Sequence, residues 1–147
     1  MGKKRITTTE GEATSTTEQQ SAVAASKKNP KKQVINGIAH VSVSYNNTLV
    51  TITDLKGEVI AWSSAGSLGF KGTKKSTPYA ANLVAKDCTE KAKKYNLSAV
   101  KIVVRGIGPG RESAMRGLAA SGLNILSIMD STPVAHNGIR PKKPRRV

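Results

Sequence analysis

A glycine-rich turn in the second half of the chain joins an apolar segment to the first residues of a helix. The apolar segment covers residues 99–104, and residues 105–113 then read Arg-Gly-Ile-Gly-Pro-Gly-Arg-Glu-Ser. A helix over residues 111–121 is predicted to follow. This order predicts a strand, a tight turn and a helix packed together, as in α/β folds. Because bare backbone amides and the positive end of a helix dipole meet at such a turn, it is a candidate anion site. Its candidate contacts are Gly108, Gly110, Arg111 and Arg116.

The residues before this unit have the pattern of an antiparallel meander. Apolar and polar residues alternate strictly over residues 38–45, which predicts a half-buried strand. Turn residues separate this strand from two further strands, predicted over residues 49–53 and 59–63. Asn46 and Asn47 form the first turn, since Asn tolerates left-handed backbone conformations.

Helices and strands alternate in the rest of the chain. Thr77 and Pro78 predict the start of a helix of about five turns. Residues 99–104 are apolar on nearly both faces, as expected of a strand that is covered by helices on both sides. A last strand is predicted over residues 123–129. The sequence therefore predicts an α/β fold with a ribonuclease-H-like mixed sheet of five strands, in which an antiparallel meander of three is followed by helix, strand, helix and strand.

Composition divides the chain into three parts. Residues 1–33 have few aliphatic side chains and are rich in Thr, Ser, Glu, Gln, Ala and Lys, which predicts a disordered N-terminal extension. Residues 34–130 are predicted to form one α/β domain. Residues 131–147 are basic and contain prolines, which favours an extended C-terminal tail.

The charge balance indicates what the chain binds. It has 24 Lys and Arg residues and nine Asp and Glu residues, a formal net charge of +15. Such an excess is typical of proteins that bind nucleic acid or anionic lipid. No apolar run approaches the roughly 20 residues that span a bilayer, so we expect no membrane partner. Aromatic residues make up only 3% of the chain, which argues against broad stacking platforms for bases.

The motifs of nucleotide and metal enzymes are incomplete. Arg111 stands where a dinucleotide-binding turn needs its last glycine, and Lys74 and Lys75 lack the glycines of a P-loop. A ribonuclease-H-like enzyme needs clustered carboxylates for two metal ions, and the first strand has none. We therefore expect no catalysis, no metal, no cofactor and no small-molecule substrate. Two alternatives stay open: an RNA-processing enzyme with a ribonuclease-H-like fold, and a non-specific nucleic-acid packing protein.

Three single residues have simple interpretations. Trp62 is predicted to lie in the core rather than to stack on bases. Cys88, the only cysteine, is predicted to be a buried thiol on the first helix. Asn137 precedes Gly138, which leaves the backbone nitrogen unhindered for attack on the Asn side chain. Isoaspartate formation at Asn137 is therefore one interpretation, and an ordinary Asn-Gly turn is the other.

A series of short motifs follows in order along the chain. They are Gly37-Ile38-Ala39-His40, Asn46-Asn47-Thr48, Val50-Thr51-Ile52-Thr53-Asp54, Gly69-Phe70-Lys71-Gly72, Lys75-Ser76-Thr77-Pro78-Tyr79-Ala80-Ala81, Gly108-Pro109-Gly110-Arg111-Glu112-Ser113, Thr132-Pro133 and His136-Asn137-Gly138. With these motifs and the basic end, residues 37–147 resemble the family of small-subunit ribosomal protein S-eleven, in its bacterial type.

The resemblance implies a structural protein without catalysis, located in the small ribosomal subunit in the cytoplasm. Such a protein binds and bridges several helices of small-subunit ribosomal RNA on the platform and helps to form the messenger-binding (Shine-Dalgarno) cleft. Its implied neighbours are the platform proteins S-seven, S-eighteen and S-twenty-one, with messenger RNA nearby. The RNA contacts that the resemblance implies are Asn46, Asn47, Phe70, Lys71, Gly72, Lys74, Lys75, Arg111, Arg116, Arg140, Lys142, Lys143, Arg145 and Arg146.

Overall fold

The alternating and helical patterns of the sequence correspond to five strands and two α-helices in a computed structural model, which describes residues 33–140 and 142–143. The predicted order of the elements is confirmed. They are β1 (Asn36–Ser44), β2 (Asn47–Asp54), β3 (Val59–Ser64), a 3-10 helix (Gly72–Ser76), α1 (Pro78–Lys93), β4 (Ala99–Arg105), α2 (Arg111–Ala120) and β5 (Asn124–Asp130).

The five strands form one mixed sheet in the order β3-β2-β1-β4-β5. β1 pairs antiparallel with β2, and β2 with β3, so the first three strands are the predicted meander. β4 pairs parallel with β1 and with β5. β3 runs in the same direction as β1, β4 and β5, so α1, which connects β3 to β4, and α2, which connects β4 to β5, both run opposite to these strands.

The core lies between the sheet and the two helices. α1 packs on β2 and β3, α2 packs on β1, and the two helices pack against each other, so both cover the same face. Small aliphatic side chains fill this space without contact to solvent. The largest are Val41, Val50, Ile52, Val84, Val100, Ile102, Val104 and Leu118.

The prediction that helices cover both faces of β4 is wrong. On the uncovered face of β4, Lys101 and Arg105 are exposed and Val103 is half-buried. The apolar run of β4 therefore reflects one fully covered face and two apolar positions, Ala99 and Val103, on the other face. The predicted place of Trp62 in the core is also wrong: on edge strand β3 its side chain is 55% exposed.

The expected state of Cys88 is confirmed. Its side chain is fully buried, and its thiol donates to the backbone oxygen of Val50 at 3.6 Å. Burial raises the pKa of the Cys88 thiol to about 12, so the sulfur is protonated at neutral pH.

Parts of the two predicted tails lie outside the described residues. They are the N-terminal extension up to residue 32, Pro141, and the C-terminal residues 144–147, which include Arg145 and Arg146. From Ser131 to Arg140 the chain contains neither helix nor strand, and from residue 133 onward every described residue is exposed.

Candidate nucleic-acid interface

Four connections of the chain meet at one edge of the sheet. β1, β4 and β5 are parallel, so their carboxyl ends lie together. We call this the carboxyl edge; it comprises the last residues of β1, β4 and β5, the starts of α1 and α2, and the four connections, which are the β1–β2 turn, residues 65–77, residues 106–110 and the segment that starts at Ser131. In open α/β sheets ligands bind at this edge. Because α1 and α2 also begin here, the positive ends of both helix dipoles face the same side.

The first turns of α1 and α2 border one groove. It has a volume of about 400 Å³ and is lined by Pro78 of α1 and by residues 108, 109 and 111–113. Gly110 precedes α2 and lies against α1, because a Cβ atom added to it would be 3.0 Å from the Cβ atom of Ala81. The amide-rich ends of the two helices are therefore in contact and together they favour an anion, although Glu112 in the first turn of α2 already places one carboxylate at the groove.

The loop before α1 presents the lysines that were predicted to contact RNA. Lys71, Gly72 and Lys74 are exposed, and Lys75 is half-buried. The 3-10 helix places Lys74 and Lys75 in its last turn, immediately before the positive end of α1. Since no acidic residue stands in the first turn of α1, the positive charge adds to the helix dipole instead of opposing it.

Phe70 has a different position from that expected of an RNA contact. Its side chain is half-buried and packs against the core. Its ring stands edge-on to the ring of Tyr79, with 6.2 Å between the centroids. Phe70 therefore anchors the lysine loop to α1.

The β1–β2 turn consists of Tyr45 and Asn46, one residue earlier than predicted, and Asn47 is the first residue of β2. The side-chain oxygen of Ser44 accepts hydrogen bonds from the backbone N–H groups of Asn46 at 3.4 Å and Asn47 at 3.1 Å. Asn46 is exposed, whereas Asn47 is half-buried and its Oδ1 atom finds no hydrogen-bond partner among the described residues. Asn46 is thus the more accessible of the two asparagines.

The glycines of the turn between β4 and α2 allow it to approach β1 and β2. Gly106 has φ 93°, and an added Cβ atom would overlap the backbone oxygen of Val43. At Gly108 the added atom would be 2.7 Å from the backbone oxygen of Ser44. Close packing of the backbone therefore requires these glycines, whatever the turn binds.

Arg111 lies at the predicted position, but its guanidinium group is engaged inside the protein. It donates to the backbone oxygen of Gly106 and to the carboxylate of Asp130, and it lies 3.3 Å from the Oγ1 atom of Thr132. Asp130 accepts two further hydrogen bonds from Thr132, from the backbone N–H at 2.9 Å and the hydroxyl at 2.6 Å. These bonds from Thr132, together with Arg111, lower the pKa of Asp130 to about 2. We call these four residues the Arg111 clamp.

The Arg111 clamp fixes where the C-terminal segment leaves the sheet, because Asp130 ends β5 and Thr132 is the second residue of the segment. Sequence reasoning misses Asp130 and Thr132 as partners of Arg111. The Asp-x-Thr spacing directly after a strand is typical of a side-chain turn and is the signal that could have indicated them.

The other two arginines near the turn point to different surfaces. Arg116 forms an exposed ion pair with Glu112 one turn earlier on α2, at 3.0 Å. Exposed pairs of this kind contribute little to stability, so Arg116 can exchange its partner for a phosphate. Arg105 stands at the end of β4 on the uncovered face, with its guanidinium 3.5 Å from the Ser131 hydroxyl.

The described part of the C-terminal segment presents further cations. Arg140, Lys142 and Lys143 are exposed. Asn137 is also exposed and has a left-handed backbone conformation, with φ 59°.

Within the described residues, no group of three or more His, Cys, Asp or Glu side chains could hold a metal ion. In that same part of the chain, neither helix has the length and apolar character needed to cross a membrane.

The mixed sheet and the basic loops gathered at one edge define a basic α/β protein of the nucleic-acid-binding class. A family model described as Ribosomal protein S11 matches residues 37–146. The chain therefore belongs to the ribosomal protein S11 family, and the resemblance drawn from the sequence is confirmed. This membership makes it an rRNA-binding component of the small ribosomal subunit in the cytoplasm. The family is structural and non-enzymatic.

Proposed function

We propose that this protein binds and bridges several helices of small-subunit ribosomal RNA on the platform, and that it helps to form the messenger-binding (Shine-Dalgarno) cleft. The observation that carries this proposal is the convergence of four connections and two helix starts on the carboxyl edge. The strand order, with three antiparallel strands followed by two parallel ones, supports a ribonuclease-H-like arrangement that serves as a scaffold without catalysis. Residues 34–130 then act as the RNA-binding domain, and residues 131–147 act as an extended basic tail.

The residues of the carboxyl edge divide into two groups. Side chains that reach solvent neutralise phosphates directly, while the glycines, Phe70, Asn47 and Arg111 hold the loops in place. Backbone contacts of this kind recognise RNA shape more than sequence. The proposed direct contacts among the described residues are Asn46, Lys71, Lys74, Lys75, Arg116, Arg140, Lys142 and Lys143. Arg145 and Arg146, which lie outside the described residues, are proposed as contacts from the sequence alone.

A different surface supports the proposed protein neighbours S-seven, S-eighteen and S-twenty-one. β5 is an edge strand, and Leu126 and Ile128 on it are at least half exposed. Beside it, Met115 and Ile125 line a largely apolar groove between α2 and β5. Four of its six lining residues are apolar, and Glu112 and Arg116 stand at its α2 side, so the apolar part of this surface favours a protein over RNA. Messenger RNA is proposed to lie near the carboxyl edge.

The test compares two pairs of exposed lysines at opposite ends of α1. Small subunits are reconstituted with the double variant Lys71→Ala and Lys74→Ala, or with the control Lys93→Ala and Lys94→Ala. Protection of the ribosomal RNA backbone from hydroxyl radicals is then mapped. We expect the first variant to lose protected sites that the control retains, because only the first pair lies at the carboxyl edge. Equal protection in both would contradict the proposal.

The proposed modification of Asn137 has a separate test. The exposed Asn137 and the glycine after it suit ring closure on the backbone nitrogen, so we propose isoaspartate at this position. Peptide mapping of aged protein is expected to find it. Unmodified Asn137 in such a sample would assign Asn137 and Gly138 to an ordinary turn.

A further inference from the structure

The face of the sheet opposite the helices is uncovered, and we call it the open face. Strand pairing places Trp62, Thr51, His40, Val103 and Met129 side by side in one row across all five strands. Side chains that are paired in this way point to the same face of a sheet. All five are exposed or half-buried, so the row is open to solvent.

A shallow cavity lies in the middle of this row. It has a volume of about 260 Å³, and His40, Ser42, Thr51, Val103 and Arg105 contribute to its lining. This volume is below the range of roughly 300–1,000 Å³ that drug-sized ligands occupy, so it suits one small planar group. The imidazole and guanidinium groups offer planes for stacking, the two hydroxyls offer hydrogen bonds, and Val103 offers an apolar floor.

The His40 ring is held in place at this cavity. Its Nε2 atom lies 3.4 Å from the Oγ1 atom of Thr53, which is buried. Trp62 lies two strands away in the same row, at a distance of about 10 Å for strands spaced about 4.8 Å apart. Two aromatic rings therefore stand within reach of bases of one nucleic-acid strand.

The charge of the open face favours a polyanion. Lys101 and Arg105 stand on either side of Val103 on β4, and both are exposed. The carboxylates of the described strands lie on the other side, because Asp54 pairs with Gly37 and Asp130 pairs with Val104, on the helix-covered face. An apolar peptide would leave both cations without an anionic partner, whereas RNA would neutralise them.

We propose that the open face binds single-stranded RNA, with one unpaired base in the His40 cavity and another stacked on Trp62. The proposal rests on the proposed function and adds a second RNA surface to it. Arg105 belongs both to the open face and to the carboxyl edge, so a strand that leaves the loops continues onto the face without a break. Stacking of bases on aromatic side chains is the usual way in which proteins hold single-stranded RNA.

The test uses the full chain, in which Trp62 is the only tryptophan. A labelled, single-stranded oligoadenylate and an RNA duplex are each titrated, with anisotropy of the label measuring binding and Trp62 fluorescence measuring stacking. The single strand is expected to quench Trp62 fluorescence at saturation, and the duplex is not. The variants Trp62→Ala and His40→Ala are each expected to weaken single-strand binding by about fivefold or more and to leave duplex binding unchanged.

Leu55→Ala is the matched control, since Leu55 is an apolar side chain with 60% exposure in the turn at the opposite end of the sheet. It is expected to leave both affinities unchanged. Saturating single-strand binding without quenching, or equal quenching by the duplex, would overturn the proposal while leaving the proposed function intact. The Trp62→Ala variant could instead bind RNA as tightly as the wild type while subunits reconstituted with it lose a platform protein. That result would assign the open face to a protein and would also overturn the proposal. If the wild type bound neither of the two test RNAs nor small-subunit ribosomal RNA, both proposals would be overturned.

Discussion

Gly106 and Gly110 lie where the turn between β4 and α2 touches the first two strands. An added methyl group at Gly110 would be 2.6 Å from the Oγ1 atom of buried Thr48, and at Gly106 it would overlap a backbone oxygen. We expect Gly110→Ala to lower the free energy of unfolding by about 1–3 kcal/mol through overpacking. Gly106→Ala should cost more, because φ there is also positive and backbone oxygen cannot turn away.

Urea denaturation of the full chain measures these effects. Gly66→Ala is the control, because the nearest atom to its added methyl group is 3.9 Å away and its change should stay within about 0.5 kcal/mol. If Gly110→Ala were as stable as Gly66→Ala, the glycine would serve ligand approach and not packing.

Ionisation of Asp130 makes the free energy of unfolding depend on pH in the acid range. Its pKa is about 2 in the folded protein, below the ordinary value of 3.8, so the folded state favours the ionised carboxylate. The resulting stabilisation is fully present above pH 3.8 and is lost as the pH falls towards 2. Asp130→Asn removes this contribution. We expect the urea midpoint of the wild type to fall more steeply between pH 4 and pH 2 than that of the variant; parallel curves would show that the Arg111 clamp does not form.

At the scale of elements, β3 is held to α1 by a small polar network. The hydroxyl of buried Ser63 donates to the carboxylate of Asp87 at 2.6 Å, and Lys91 binds the same oxygen at 2.6 Å. Burial raises the pKa of Asp87, but the hydrogen bonds from Lys91 and Ser63 outweigh burial and lower it overall. Asp87→Ala leaves the Ser63 hydroxyl buried without its acceptor.

We expect Asp87→Ala to cost about 1–3 kcal/mol of unfolding free energy, since a buried hydroxyl without a partner costs about this much. Amide hydrogen exchange should become faster first in β3, which is an edge strand. Glu90→Ala, an exposed acidic position on the same helix, is the control and should leave β3 protection unchanged. Equal exchange in both variants would show that packing alone holds β3.

The approximate positions of the strands and α-helices could be predicted, because alternation and helical spacing are local properties, but the 3-10 helix over Gly72–Ser76 was not predicted. The face of the sheet that the helices cover could not be predicted, because alternation divides the side chains into two sets without indicating which set is buried. Trp62 shows this: it is large and apolar, yet it belongs to the uncovered set of an edge strand. The apolar residues 99–104 led to the wrong prediction of two covered faces for the same reason, since Val103 is apolar and lies on the uncovered face.

The candidate site likewise has features that could be predicted from the sequence and features that could not. The order of elements is enough to place the basic loops at one edge, because the parallel strands share a direction. The engagement of Arg111 is not visible in the sequence, because its partner Asp130 lies 19 residues away and is brought there by α2 and β5. Long-range pairs of this kind depend on the packed fold and not on any local pattern.

At the scale of the whole molecule, a net charge of +15 makes RNA binding dependent on salt. If about five phosphates are contacted, the logarithm of the binding constant should fall with the logarithm of salt concentration with a slope of roughly −4. Lys71→Ala with Lys74→Ala should make the slope shallower by about 2, because each lysine that binds a phosphate contributes about 1. Filter binding of a small-subunit ribosomal RNA fragment over a series of salt concentrations measures it. The control is Lys93→Ala with Lys94→Ala, which removes the same charge from the opposite end of α1. Equal changes of slope in the two double variants would indicate a general effect of charge and would contradict contacts by Lys71 and Lys74.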